Sequence, residues 1–239
     1  MHPKSSPQRA GWLRRVLWRG AKWLLLLLLL DALYLWWLMP RWAELAQGSI
    51  PKSAFIVAYE AQRAESGTLP KLYWKPVPLA AIAKPLRRAV VVAEDSRFYE
   101  HSGLDLEAME QAWRYNLRRH TLAFGGSTLS QQLAKNLFLT PSRNPLRKWH
   151  ELWLTLIMEQ QLSKQRILEL YLNVVEFGPG LYGVEAASRH YWGVAASQLT
   201  LHQAIELAAT LPGPKIHNPT TRTRFFLHKV SKIRRHMRV

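Results

Sequence analysis

Gly125-Gly126-Ser127-Thr128-Leu129-Ser130-Gln131-Gln132-Leu133-Ala134-Lys135-Asn136-Leu137-Phe138 decides how this chain folds. The glycine pair marks a turn. Thr128 with Gln131 three residues on is a capping box, so the spacing predicts a helix over 128–138. At about 100° per residue, Leu129, Leu133, Ala134, Leu137 and Phe138 share one face, which needs a core to pack on. Thr128, Gln131, Gln132, Lys135 and Asn136 fill the opposite arc. Periodicity alone would make that arc a solvated face. Its content, amides and one cation with no acid behind a turn, suits an anionic, hydroxyl-rich ligand near a helix N-terminus.

The same helical spacing extends outward in both directions. It predicts helices at 80–94, 104–119, 145–162, 164–174, 182–192 and 198–210, beside the one at 128–138. Breakers separate them: Gly125-Gly126, Pro141, Gly178-Pro179-Gly180 and Leu211-Pro212-Gly213-Pro214. There is no internal repeat and no sustained two-residue alternation. The fold class is mainly α, with one domain over 79–220. Residues 41–78, punctuated by Pro51, Gly67, Pro70, Pro76 and Pro78, read as a linker and lead-in, and 221–239 as a basic tail.

Upstream, residues 23–39 are apolar except for Asp31, and 24–30 are all leucine. Residues 23–40 give about 18 residues and roughly 27 Å of helix, just enough for the hydrocarbon of a bilayer. Residues 1–22 carry Lys4, Arg9, Arg14, Arg15, Arg19 and Lys22 and no acid, which predicts a cytoplasmic N-terminus and a single-pass anchor. A cleaved signal peptide is the alternative. Its apolar region would be unusually long and Trp-rich, and no small-x-small site follows Pro40.

The net charge of +17 invites a nucleic-acid reading, but the charge sits at the two ends. Six basic residues precede the apolar segment, and eight lie in 215–239 with no acid. The rest holds 19 basic residues against all 16 acids, a balance of +3. Basic ends of this kind are drawn to anionic lipid head groups, so membrane lipids are the expected partner and nucleic acid is not. The absence of cysteine excludes disulfides and thiolate metal sites.

Three further stretches carry chemistry. Glu94-Asp95-Ser96-Arg97-Phe98-Tyr99-Glu100-His101-Ser102-Gly103 closes the apolar run 89–93 and sets two acids at the edge of a core element. In Asn144-Pro145-Leu146-Arg147-Lys148-Trp149-His150-Glu151, Asn144 is a good N-cap and proline suits the first helical position. Arg147 and Glu151 are four apart, which by itself is a surface ion pair. Ser163 caps Lys164-Gln165-Arg166-Ile167-Leu168-Glu169-Leu170-Tyr171-Leu172-Asn173, whose Ile167, Leu168, Tyr171 and Leu172 form a packed face, so this segment reads as scaffold.

Taken together and in order, the stretches at 94–103, 125–136, 147–151 and 164–173 resemble the peptidoglycan glycosyltransferase family. Its members are the lipid II-polymerising domains of class A penicillin-binding proteins and the monofunctional biosynthetic transglycosylases. The resemblance covers roughly residues 75–220. The family's last motif, an Arg-rich stretch leading into a Val-Leu pair, is not matched by 222–238.

That resemblance implies a lysozyme-like, mainly α glycosyltransferase domain. It implies joining of undecaprenyl-pyrophosphate-linked disaccharide-peptides through β-1,4 bonds, with inversion and release of the lipid pyrophosphate. Lipid II and the growing glycan strand are then the partners, with other cell-wall synthesis or division proteins as further candidates, at the inner membrane with the catalytic domain periplasmic. Glu94 matches the family's base position, and its apolar approach would raise its pKa. Glu151 matches the second carboxylate, organising cations or a divalent ion (Mg or Mn) rather than acting as base. Lys135, Arg143, Arg147 and Lys148 are the candidates to face developing pyrophosphate charge. Ser127, Gln131, Gln132 and Asn136 would hold sugar or phosphate oxygens, while Asp95, Phe98 and His101 shape the loop.

Two rivals follow from the same residues. A lysozyme-like enzyme cutting the polymer would also use a carboxylate beside a sugar chain, but needs no phosphate site. A catalytically silent membrane scaffold is opposed by the intact Glu94 and Glu151. Ser49-Ile50-Pro51-Lys52 and Ser142-Arg143-Asn144 match two short serine-acylase patterns by chance, since the third, Lys-Thr-Gly, is absent. Between the first two motifs, Trp113, Tyr115, Leu117, Leu122 and Phe124 alternate with Arg114, Arg118, Arg119 and His120, the mixture expected of an interfacial surface. The alternative is that these aromatics are core.

Overall fold

The computed structural model describes residues 7–38, 42–119, 126–142 and 144–238. The chain divides into two units, 1–40 and 41–239. The first contains α1 (Pro7–Leu38), in which Leu24 to Leu30 are exposed all round the helix. Lys22 and Asp31 confine the unbroken leucine block to 24–30. Among the described residues no helix is long and apolar enough to cross a membrane, so the span expected at 23–40 is not confirmed.

The described residues of the second unit are mostly helical, with one small sheet. Its helices are α2 (Trp42–Gln47), α3 (Ala54–Ser66), α4 (Lys84–Glu94), α5 (Leu106–Arg119), α6 (Leu129–Phe138), α7 (Pro145–Gln161), α8 (Lys164–Val174), α9 (Val184–Trp192), α10 (Leu201–Thr210) and α11 (Arg224–His236). All seven expected helices are present, shortened where local chemistry dictates. The helix expected from residue 80 begins as a 3₁₀ turn and restarts at Lys84, because Pro85 has no N–H to give and fits only a first turn.

Around the buried α8 the core closes. Ile167, Leu168, Leu170, Tyr171 and Leu172 are essentially inaccessible, so this helix is apolar on nearly every side. Leu129, Leu133 and Ala134 of α6 pack between it and Leu154 and Met158 of α7. A second layer sets α4 (Leu86, Ala89, Val90) on α10, whose Ala204, Ala208 and Ala209 permit close approach.

Three features depart from the sequence reading. Within the expected linker lies α3, capped by Ser53, whose Oγ accepts from Ile56 N–H (3.2 Å), and ended by Gly67 in the left-handed region. The strands β1 (Tyr73–Trp74), β2 (Glu176–Gly178) and β3 (Leu181–Tyr182) form a sheet in the order β1-β3-β2. Two or three residues are too few for alternation to register. The expected basic tail contains α11, whose Phe226, Val230 and Ile233 are buried and which packs on α10 and α4. Its apolar positions recur at helical spacing beneath the dense positive charge.

The segment 164–173 is scaffold, as its packed face implied. Asn173 Oδ1 accepts from Val77 N–H (2.8 Å) while its Nδ2 donates to Val77 O (2.9 Å), and Glu169 Oε1 accepts from Leu79 N–H (2.6 Å). Arg166 donates to Leu45 O (2.7 Å) and Gly48 O (2.6 Å). These bonds tie the lead-in to the core. Gly183, at φ +79°, lies where a Cβ would meet Asn173 O at 2.6 Å, so only glycine lets the chain pass there.

Candidate active site

Glu94 is the last residue of α4, and Asp95 is its C-cap. The helix ends there because the next residues turn to meet the start of α6. Asp95 is buried and accepts from Leu129 N–H (2.9 Å), one of the donors that a helix N-terminus leaves unpaired. Gly103 N–H donates to His101 Nδ1 (3.2 Å), which leaves the proton on Nε2 to donate to Asp95 (3.0 and 3.1 Å). Thr128 Oγ1 donates to Gly103 O (2.6 Å). The loop after α4 and the start of α6 are thus one hydrogen-bonded piece, and Asp95 and His101 shape it.

Glu94 lines a cleft of about 240 Å³ together with Ser127, Thr128, Gly126, Asp105 and Gln111. The residue keeps an open edge toward the cleft, while burial pushes its carboxyl above the ordinary 4.5. A hydrogen bond from Gln132 Nε2 (2.9 Å) and the more distant charges of Lys229 and Lys135 pull the other way. No cation touches it directly among the described residues.

Glu151 sits in a different environment. It is 3 % exposed and is held by Arg147 Nη1 (2.9 Å) and by Lys148 Nζ from the preceding turn of α7. Lys148 also reaches Ser127 Oγ (3.4 Å). Lys135 projects from α6 toward this group, its amine pushed below 10.5 by burial. Glu151 and Glu94 pull it back up, and Arg147 and Lys148 push it down. Arg147 Nε is buried with no hydrogen-bond partner. Three cations thus gather around one carboxylate, with a donor left over.

Of the residues expected at the site, Glu94, Ser127, Gln132, Lys135, Arg147, Lys148 and Glu151 come together. Gln131 does not join them: it is buried and completes the capping box, its Oε1 accepting from Thr128 N–H (3.0 Å). Asn136 is buried, and no hydrogen bond of the described site involves its side chain. Arg143, Gly125, His120, Leu122 and Phe124 lie outside the described residues, as does the side chain of Arg119. Glu151 does not suit a divalent ion, because both its oxygens already accept from cations. Asp95, His101 and Asp105 place ligand atoms within 4.8 Å of one another, but those of Asp95 and Asp105 accept from Leu129, His101 and Ala108.

The sequence reading missed two contributors. Tyr171, taken as packing, donates its hydroxyl to Gln132 Oε1 (2.9 Å), and Lys229 of α11 adds positive potential at Glu94. A buried tyrosine among aliphatic residues was the available signal, since its hydroxyl requires a partner.

A half-buried carboxylate thus lines a cleft, and a second carboxylate, held by cations, lies near the same helix. The sequence model of the Transglycosylase family matches residues 64–238. The chain is 40% identical over 211 residues to the biosynthetic peptidoglycan transglycosylase of Laribacter hongkongensis, covering 88% of this chain and 92% of that one. It is 38% identical over 226 residues to the protein of that name from Methylobacillus flagellatus, covering 95% and 97%. To the one from Bordetella avium it is 44% identical over 195 residues, covering 79% and 81%. The chain belongs to the transglycosylase family, and the match runs through α11, beyond the domain end expected at 220.

Proposed function

We infer that the chain is a peptidoglycan glycosyltransferase of cell-wall synthesis, polymerising lipid II into β-1,4 glycan with inversion and release of undecaprenyl pyrophosphate. The observation that carries this reading is the placement of Glu94 and the Lys135–Arg147–Lys148 group about α6, with Gln132 bonding Glu94 and Lys135 in the field of both Glu94 and Glu151. Glu94 takes the proton of the acceptor's 4-hydroxyl as that oxygen bonds to the donor's C1. The C1–O bond to pyrophosphate breaks in the same displacement, and its electron pair leaves on the phosphate. The cations stabilise that developing charge, with the unpartnered Arg147 Nε offering a donor that is already desolvated. Ser127, beside Lys148 and on the cleft wall, is placed to hold a sugar or phosphate oxygen.

Two surfaces support work at a membrane of the cell envelope. Trp113, Tyr115 and Leu117 of α5 are exposed rather than core, interleaved with Arg114 and Arg118. The leucine block of α1 is apolar on all sides, as a helix in an apolar medium would be, and we assign residues 23–40 as the single-pass anchor with residues 1–22 cytoplasmic.

The test is purified protein with lipid II in detergent, read on a gel for polymeric glycan. A ladder of long strands is expected. Absence of polymer from folded protein favours a silent scaffold, and cleavage of added glycan favours a hydrolase.

A further inference from the structure

Most of Tyr171's surroundings are aliphatic, and it is fully buried in α8, a helix otherwise spent on scaffold. Yet its hydroxyl lies 2.9 Å from Gln132 Oε1, and Gln132 Nε2 lies 2.9 Å from Glu94 Oε2. Three side chains from three helices form an unbroken line from the core to the carboxylate. A primary amide has two nearly isosteric ends, so α6 alone does not decide which end meets Glu94. A carbonyl turned toward an ionised carboxylate would set two acceptors against each other, in surroundings where an unpaired polar group is costly.

We propose that Tyr171 is a positioning residue for the reaction: by donating to Gln132 Oε1 it fixes the amide so that Nε2 meets Glu94 Oε2, leaving Oε1 of the carboxylate for the incoming hydroxyl. The assignment rests on Glu94 being the base. Tyr171 suits the task because burial keeps its phenol protonated well above the ordinary 10, so it remains a donor across the working pH range. The device also couples catalysis to the core, since the donor that aims the amide is fully buried there.

The relay makes the ionisation of Glu94 depend on Tyr171. With the phenol hydroxyl removed, Gln132 is free to turn, and the charged carboxylate loses part of a hydrogen bond that favours it. In Tyr171→Phe the acid limb of kcat/KM against pH should move upward by roughly one unit. kcat should fall more than KM rises, because the substrate is bound by other residues. Gln132→Leu removes both links, so adding Tyr171→Phe to it should change neither the limb nor the rate. Thermal melting of each variant reports folding.

If Tyr171→Phe lowers the rate equally at all pH values with the limb in place, the tyrosine is merely structural and the proposal fails. It fails equally if Tyr171→Phe still shifts the limb in the Gln132→Leu background, or if Tyr171→Phe does not fold while Gln132→Leu folds with an unmoved limb. Failure of the underlying reading looks different: full turnover by Glu94→Gln would remove the base itself, whatever Tyr171 does.

Discussion

Glu94 and Glu151 are both carboxylates at the edge of α6, and their surroundings differ in kind. Glu94 ends a helix with an apolar approach and, among the described residues, one amide donor and no direct cation, and burial raises its pKa. Glu151 lies in the first turns of α7 between Arg147 and Lys148. A carboxylate that must take a proton needs to be costly to ionise and open to substrate. One that must hold cations in place needs to stay charged and closed. On the function proposed above, the division of labour follows from the neighbours that α4 and α7 supply to each carboxylate.

Three substitutions would break or sharpen that contrast. Glu94→Gln keeps the shape and the contact with α6 but cannot accept a proton, so turnover on lipid II should fall by about 10²–10⁴-fold with the fold retained. Near-normal turnover would move the base elsewhere. Lys135→Ala should cost about 10²–10³-fold in kcat by withdrawing a cation from the leaving group, read as slower release of undecaprenyl pyrophosphate. If it polymerises lipid II normally, the polar arc of α6 is a solvated face and the donor side lies elsewhere.

Stability should respond with opposite signs. Glu151→Gln leaves Arg147 without its counter-charge, and denaturant unfolding should show a loss of roughly 1–3 kcal/mol, discounted because Lys148 is half exposed. Glu94→Gln should stabilise slightly. The folded Glu94 holds its proton to higher pH than the unfolded chain does, so its stability contribution is complete below 4.5 and is lost as pH rises through the folded value. At neutral pH the amide removes that cost, and its melting temperature should match or exceed wild type while activity collapses. A large drop would mean that Glu94 is held as a structural ion.

How legible this was depended on the kind of interaction. Helix α6, its cap and its two faces follow from local spacing, and so did the joining of Glu94, Lys135 and Glu151 through ordered motifs. For Gln131 the capping box and a ligand role compete for one side chain, and the local box takes its Oε1. The sheet was invisible because its strands are two or three residues long and one of its two pairings joins residues about a hundred positions apart, as Tyr73 with Leu181. Helix α11 was hidden by its charge: Phe226, Val230 and Ile233 recur at helical spacing among five lysines and arginines. A tyrosine among aliphatic residues signals that its hydroxyl needs a partner, but that the partner is Gln132 follows only from the packing of α8 beside α6.

The contrast between the two carboxylates is tested most directly by kcat/KM for lipid II polymerisation against pH, in the wild type and in Glu151→Gln. The account predicts an acid limb with an apparent pKa above 4.5 in the wild type, retained in Glu151→Gln at a lower plateau. A limb at or below 4.5, or one that disappears when Glu151 is replaced, would contradict it and assign the proton to the other carboxylate.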